Sequence, residues 1–362
     1  MVMNSYELIR EALVDHGLEF AHCGQGWLKK MTNPNQDAKY TEQKRRLRNE
    51  SLSNLRTLGV GKKVMEDKIV FEAAELVRVI AEQKGQPFDP APAISVHVFN
   101  VLLAVLFNER FDHKDKVVND VIKASHDYLA AGMKIYVLAF CQLLRFVPKF
   151  KQAVNAYMNS ASILRFLDVR IDAHIQEHTA GMDHDFLHAL FDKRTIGSKD
   201  SETSIRASSL RFLLRDFILA GADTTATSLR WTILLMVNHP DVQTKAQQEI
   251  DLVLGKERDV TLADRERLPF VEAVVWETQR FKTIVPLAAP KYTETHTNIR
   301  GYDVPALTRV FQNIRHVHMD PKTWGDPDVF RPERFINEQG EFVKHSHLIP
   351  FSLGKRRCLG EV

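Results

Sequence analysis

Cysteine, long apolar runs and surplus charge of one sign are all scarce in this sequence. Only Cys23, Cys141 and Cys358 occur among 362 residues, an odd number at wide spacing. That argues against a disulfide framework or a Cys-rich zinc site and favours a reducing compartment. No apolar run reaches the ~18 residues needed to cross a bilayer. The longest, over 98–107 and 135–144, read as segments of buried helices. Glu7, Arg10 and Glu11 interrupt the start too early for a signal peptide. With 49 basic and 46 acidic residues the net charge is only +3, too weak to argue for nucleic acid. Repeats, low-complexity tracts and flexible linkers are missing as well. What remains is 44% hydrophobic and 26% charged, the balance of a folded chain able to bury a cofactor.

Helical spacing dominates the first three quarters. It predicts helices over 6–16, 44–58, 62–83, 94–107, 146–178 and 185–193, with 23–35 as a loop rich in Gly, Asn and Lys. The segment 94–107 is apolar almost all round and should lie inside. The longest stretch, 205–238, holds no proline and one glycine, and stops before Pro240. At 1.5 Å per residue it would span roughly 50 Å. Helices over 241–254 and 269–282 follow. Past Lys282, prolines and glycines punctuate short β-like pieces such as 309–312. The expectation is a single mainly α domain over 1–362 with a small β region.

Three clusters could carry chemistry. In Phe351-Ser-Leu-Gly354-Lys-Arg356-Arg357-Cys358-Leu-Gly360, one cysteine sits between glycines with three cations just upstream. Glycines permit a tight turn that aims N–H groups at sulfur, and cations favour the thiolate that ligates metal. In Glu277-Thr-Gln-Arg280, the carboxylate shares a helix face with Phe270, Val274 and Phe281. Burial there demands a partner, which Arg280 can supply. The third cluster, Gly221-Ala222-Asp223-Thr224-Thr225, is a polar island midway along the long helix. A helical glycine costs ~1 kcal/mol relative to alanine and needs a reason. Taken alone, each has an ordinary reading: a structural cysteine, a surface ion pair, and a bent helix with hydroxyls bonded back to its own carbonyls.

Together, and in this order, the clusters resemble the cytochrome P-450 family, a group of haem-thiolate monooxygenases. The cysteine stretch matches the haem-binding loop FxxGxRxCxG at Phe351, Gly354, Arg356, Cys358 and Gly360. Glu277 and Arg280 match the ExxR helix, and Arg334 of Pro332-Glu-Arg-Phe335 matches the third member of its architectural cluster. The polar island is similar to the oxygen-binding groove [AG]Gx[DE]T[TS]. Segments 185–191 and 268–281 look most like the microsomal drug- and steroid-metabolising branch.

The resemblance implies haem b with Cys358 as the iron ligand, and Asp223 and Thr224 as the groups that help deliver protons to dioxygen. Arg356, Lys291 and Arg48 become candidates to pair the haem propionates, although Lys44 stands where the Arg48 helix usually has tryptophan. It further implies oxygen insertion into a lipophilic substrate (xenobiotic, steroid or fatty acid), with electrons from NADPH-cytochrome P-450 reductase and cytochrome b5 as a further partner. The complete protein would sit on the cytoplasmic face of the endoplasmic reticulum membrane. Met1 falls after the family's anchor and first strands, and Val362 falls before the helix that follows the cysteine loop, so a partial catalytic domain is expected. A chain that binds haem without turning over is the main alternative. A zinc hydrolase through His184 and His188, at i and i+4, is the remote one, against a solvated helix start; His316, His318, His345 and His347 read as ordinary loop or strand residues.

Overall fold

The computed structural model describes residues 1–20, 38–57, 63–138, 146–158, 161–177, 185–192, 195–196, 204–205, 207–255 and 258–361. In chain order, strand β1 (Val2–Met3) and helix α1 (Tyr6–Arg10) lead into α2 (Ala38–Thr57), α3 (Lys63–Ala81), α4 (Ala91–Leu106), α5 (Lys116–Leu138) and α6 (Pro148–Met158). There follow α7 (Ala161–Glu177), α8 (Phe186–Phe191), β2 (Thr195–Ile196), β3 (Ser204–Ile205), α9 (Ala207–Asn238), α10 (Pro240–Leu254) and α11 (Pro269–Phe281). The last part holds β4 (Lys291–Tyr292), β5 (Thr297–Ile299), β6 (Tyr302–Val304), β7 (Arg309–Gln312), α12 (Ile314–His318) and α13 (Pro321–Trp324). The architecture is mainly α with small sheets. Among the described residues no helix is long and apolar enough to cross a membrane.

Two compact units emerge, one of residues 26–226 and one combining 1–25 with 227–362, and α9 supplies residues to both. In the first, Phe99, Leu103 and Leu106 of α4 join Ile163, Leu167, Phe186, Leu190, Leu214 and Ile218 in a buried core. The all-apolar segment therefore lies inside, as its pattern requires. In the second unit, β1 pairs in parallel with β7 and β4 pairs antiparallel to it, while β5 and β6 form a separate antiparallel pair. Met3, Ile9, Phe20, Val310, Ile314 and Ile349 pack over these strands.

Several boundaries shift for local reasons. The stretch expected as one helix over 146–178 is two, α6 and α7. The helix expected from 6 runs only to Arg10 before a π-helical turn over Glu11–Asp15. Asp185 is not the first helical residue of α8 but its N-cap, accepting from the Leu187 and His188 amides. Helix α9 begins at Ala207 rather than 205, because Ser204 and Ile205 pair with β2. Pro240 and Pro269 each occupy a first helical turn, where a missing N–H costs nothing. The loop expected over 23–35 and most of the apolar run 135–144 lie outside the described residues.

Candidate functional site

The second unit holds a fully buried carboxylate, that of Glu277. Phe270 and Val274, two turns and one turn earlier on α11, are buried, and Glu277 shares their face at 0% exposure. Arg280, also fully buried, grips it with two hydrogen bonds: Nε to Oε2 at 2.7 Å and Nη2 to Oε1 at 2.8 Å. The same guanidinium donates through Nη1 to the carbonyls of His318 and Pro327, both at 2.9 Å. The Arg331 amide donates to Glu277 Oε1 at 2.9 Å, and Arg334 Nε reaches that oxygen at 3.4 Å. Arg334 also donates to the Trp324 and Asp326 carbonyls. A planar cation with five donors suits this task, since each N–H finds a fixed acceptor on another segment. The expected Glu277–Arg280–Arg334 arrangement thus exists as a physical network that ties α11 to the segment 318–334.

His318 extends that network. It is 0% exposed and lies on α12, correcting the expectation of a loop or strand residue for it and for His316. The Ile349 amide donates to its Nε2 at 3.0 Å, and its Nδ1 lies 2.9 Å from Thr283 Oγ1, whose hydroxyl donates to the Arg280 carbonyl. The ring is therefore neutral with its proton on Nδ1. Burial, helped by the charge of Arg280, pushes its pKa down to about 3. Nothing in the local sequence marks this histidine, because all its partners are distant in the chain.

Ile349 opens the run toward the cysteine. Ser352 and Gly354 both adopt left-handed backbone, with φ of 67° and 74°. At Gly354 a Cβ would stand 2.8 Å from the Leu13 carbonyl carbon and closer still to its oxygen, so only glycine fits. The turn is closed by the Arg357 amide donating to the Gly354 carbonyl and the Cys358 amide donating to the Phe351 carbonyl, at 3.1 and 2.9 Å. Ser352 Oγ donates to Gln312 Oε1 on β7 at 2.6 Å, and Lys291 Nζ donates to the Arg356 carbonyl at 3.2 Å. Phe351 meets Trp276 of α11 edge to face, so the loop rests on the helix that carries Glu277. A cavity of about 230 Å³ borders Phe351, Ser352 and Glu361; that is below the roughly 300–1,000 Å³ of small-molecule sites.

At the tip, Cys358 is exposed and outside any disulfide. Its Sγ accepts the Gly360 amide at 3.4 Å. Among the described residues no cluster of three metal-ligating side chains includes Cys358. A lone sulfur with N–H donation suits haem iron, which would need a single thiolate from the protein. It does not suit zinc, which takes three or four protein ligands. The donor set therefore fits haem.

Gly221, Asp223, Thr224 and Arg48 fall in the other unit. A Cβ at Gly221 would come within 3.3 Å of the Leu102 side chain on α4, a close approach of that leucine to α9. Thr224 Oγ1 donates to the Ala220 carbonyl at 2.6 Å. Asp223 Oδ1 stands 3.3 Å from Nδ1 of His126 on α5, a partner that spacing within α9 could not reveal. Arg48 is half-buried on α2. His184 lies outside the described residues, and the helix start beside it is buried at Asp185 and Phe186, correcting the expectation of a solvated one.

Comparison with known proteins gives the family. The family model described as Cytochrome P450 matches residues 1–362. The chain is similar to cytochrome P450 2J2 of Homo sapiens, 34% identical over 314 residues, covering 86% of this chain and 62% of that protein. It is also similar to cytochrome P450 2D26 of Rattus norvegicus, 33% identical over 377 residues, covering 100% of the chain and 74% of the relative. Cytochrome P450 2U1 of Mus musculus is 31% identical over 387 residues, covering 100% and 69%. The chain spans 62% of the length of cytochrome P450 2J2 and of the related 2J3 of Rattus norvegicus. With a family match running through its whole length, this chain belongs to the cytochrome P450 family.

Proposed function

We propose that this chain carries the haem-thiolate site of a monooxygenase acting on a lipophilic organic substrate, with Cys358 as the residue that would hold the iron. Family membership implies haem iron as the cofactor. The observation that carries the reading is the loop itself: an exposed sulfur, one N–H bond to it, and a turn at Gly354 that no other residue could make. When bound, haem supplies the oxygen chemistry, transferring one atom of dioxygen to a C–H bond. The chain's own residues hold, orient and protonate. Arg356, Lys291 and Arg48 would pair the haem propionates as charge-assisted donors. Asp223 and Thr224 would move protons, the carboxylate exchanging with solvent and the hydroxyl passing a proton on. Glu277, Arg280 and Arg334 brace the segment on which the cysteine turn rests. Residues 23–35, 146–178, 217–221 and 284–289 would contribute to substrate choice.

Electrons would come from NADPH-cytochrome P-450 reductase, with cytochrome b5 as a further donor, docking on the side of the Lys355–Arg357 cations. The complete protein would act at the cytoplasmic face of the endoplasmic reticulum membrane. The second reading, haem binding without turnover, draws on two observations: Thr224 is bonded to Ala220 and Asp223 lies against His126. The reduced carbon-monoxide spectrum of the haem-loaded chain tests ligation, and oxygen uptake measured against product tests turnover. Cys358→Ala should abolish the thiolate-type spectrum, whereas Thr224→Ala should keep it and uncouple oxygen uptake from product. Haem binding with a spectrum unaltered by Cys358→Ala would overturn the assignment.

A further inference from the structure

Away from the cysteine loop, the described residues hold one cluster of three metal-ligating side chains: His174, Asp185 and His188, with ligand atoms all within 4.8 Å of one another. His174 lies on α7, Asp185 caps α8, and His188 is in its first turn. Asp185 Oδ1 accepts the Leu187 and His188 amides, each at 2.9 Å, which fixes the carboxylate. Its Oδ2 faces both imidazoles, 3.0 Å from His174 Nε2 and 2.9 Å from His188 Nδ1. Across the ring, His174 Nδ1 lies 2.8 Å from the Arg170 carbonyl, which can only accept. That contact keeps a proton on Nδ1, so Nε2, whose own proton is now shared with Oδ2, is the nitrogen that turns a lone pair to an ion once that proton leaves. One nitrogen toward the ion and the other donating to a carbonyl is how metal-bound imidazole is usually oriented.

We propose that His174, Asp185 and His188 bind one divalent ion of the zinc type, at a site separate from the haem cysteine. Zinc bonds to nitrogen and carboxylate oxygen of about 2.0–2.2 Å give tetrahedral edges of roughly 3.3–3.5 Å. The two edges through Oδ2 need open by only a few tenths of an ångström to reach that. The ion displaces the ring protons now shared with Oδ2, and these leave to solvent. Asp185 and His174 are nearly closed off, with side chains 1% and 8% exposed, whereas His188 at 13% marks the side of entry. There a fourth position stays available to water. Of the nearby cations, Arg170 is paired with Glu109 at 2.8 Å, and the Lys68 ammonium donates to the Ala104 carbonyl at 2.6 Å.

The site uses neither His184 nor a hydrolytic base, which sets it apart from the remote HxxxH hydrolase reading. The haem-loaded chain, freed of loose metal with a chelator, would be titrated with Zn²⁺ and analysed for zinc and iron after gel filtration. One zinc per chain beyond the haem iron is expected, and Co²⁺ in its place should give the visible absorption of a tetrahedral site. His188→Ala should weaken zinc binding by ~100-fold or more, since one of only three ligands is lost. Because Asp185→Asn could impair folding through the lost cap, His188→Ala is the deciding variant. A His345→Ala/His347→Ala control, at a half-buried pair whose rings lie 5.3 Å apart, should keep full stoichiometry. No stoichiometric zinc, or zinc retained undiminished by His188→Ala, would mean a hydrogen-bonded His–Asp–His cluster only and would overturn the proposal.

Discussion

Glu277 and Cys358 belong to the same unit and live under opposite rules. Glu277 has no exposed surface, and the groups around it (two guanidinia and a backbone amide) converge on its two oxygens. Cys358 is exposed, and its sulfur has one weak N–H donor at 3.4 Å. The buried carboxylate is held by side-chain charge, whereas the sulfur is held by backbone geometry. A brace must not move, so its polar groups are satisfied internally. A ligand must be offered outward, so its own side chain contributes little to folding. Substitutions at the two ends should therefore separate stability from chemistry.

The largest stability effect is expected at the brace. Glu277→Gln leaves the Arg280 and Arg334 guanidinia facing an amide where they faced a carboxylate, inside a water-excluded site. Removing one partner of a buried pair costs about 3–5 kcal/mol. Urea unfolding of the parent and variant should show that loss as a lower midpoint with an unchanged slope. A loss below about 1 kcal/mol would mean that water replaces the carboxylate and that the network is not a brace. Cys358→Ala, by contrast, should leave the midpoint nearly where it was.

Between these ends stands Gly354, where chemistry and fold meet. Gly354→Ala would drive a Cβ into the Leu13 carbonyl and hold a left-handed φ that alanine resists by about 1–2 kcal/mol. With the clash added, a cost of about 2–3 kcal/mol is expected from the same urea measurement. The displaced turn should also lower the yield of thiolate-type spectrum in proportion to the loop's loss of order. Stability lost with a full spectrum would show that sulfur presentation does not depend on this turn.

How legible was this arrangement in the sequence? The buried Glu277–Arg280 pair could be read because helical spacing places the carboxylate on the apolar face of Phe270 and Val274. The need for Gly354 could be read because a glycine near a cysteine and cations signals a tight turn. The long helix ended where Pro240 said it would. Contacts made across sequence distance were not legible. His126 meets Asp223 from another helix, and Leu102 approaches Gly221 from a third. Strand β1 has two residues, too few to show alternation, and exists because β7 offers it hydrogen bonds. The division of 146–178 into α6 and α7 carries no proline or glycine to announce it. His318 was the largest omission, since a lone histidine in a polar stretch looks solvated until its partners are known.

His318 also supplies the mildest way to sharpen the contrast, by changing acidity rather than a partner. In the unfolded chain its imidazole titrates near the ordinary 6.5; in the folded chain burial holds it near 3. Between those values the unfolded chain takes up a proton that the folded chain refuses, so stability falls as pH drops below 6.5. At pH 5 this one residue should account for about 2 kcal/mol of lost stability relative to neutral pH. His318→Gln keeps a neutral donor and acceptor for Thr283 and Ile349 but cannot charge. It should be less stable than the parent by about 1–2 kcal/mol at pH 7.5, the ordinary cost of imperfect hydrogen bonds. As pH falls to 5 the gap should close or reverse, because only the parent bears the titration penalty. Every other titrating group is common to both proteins and cancels in the difference. A gap that stays constant from pH 7.5 to 5 would show that the folded chain can protonate His318 without cost, and the Arg280 brace would then have to tolerate a second cation beside it.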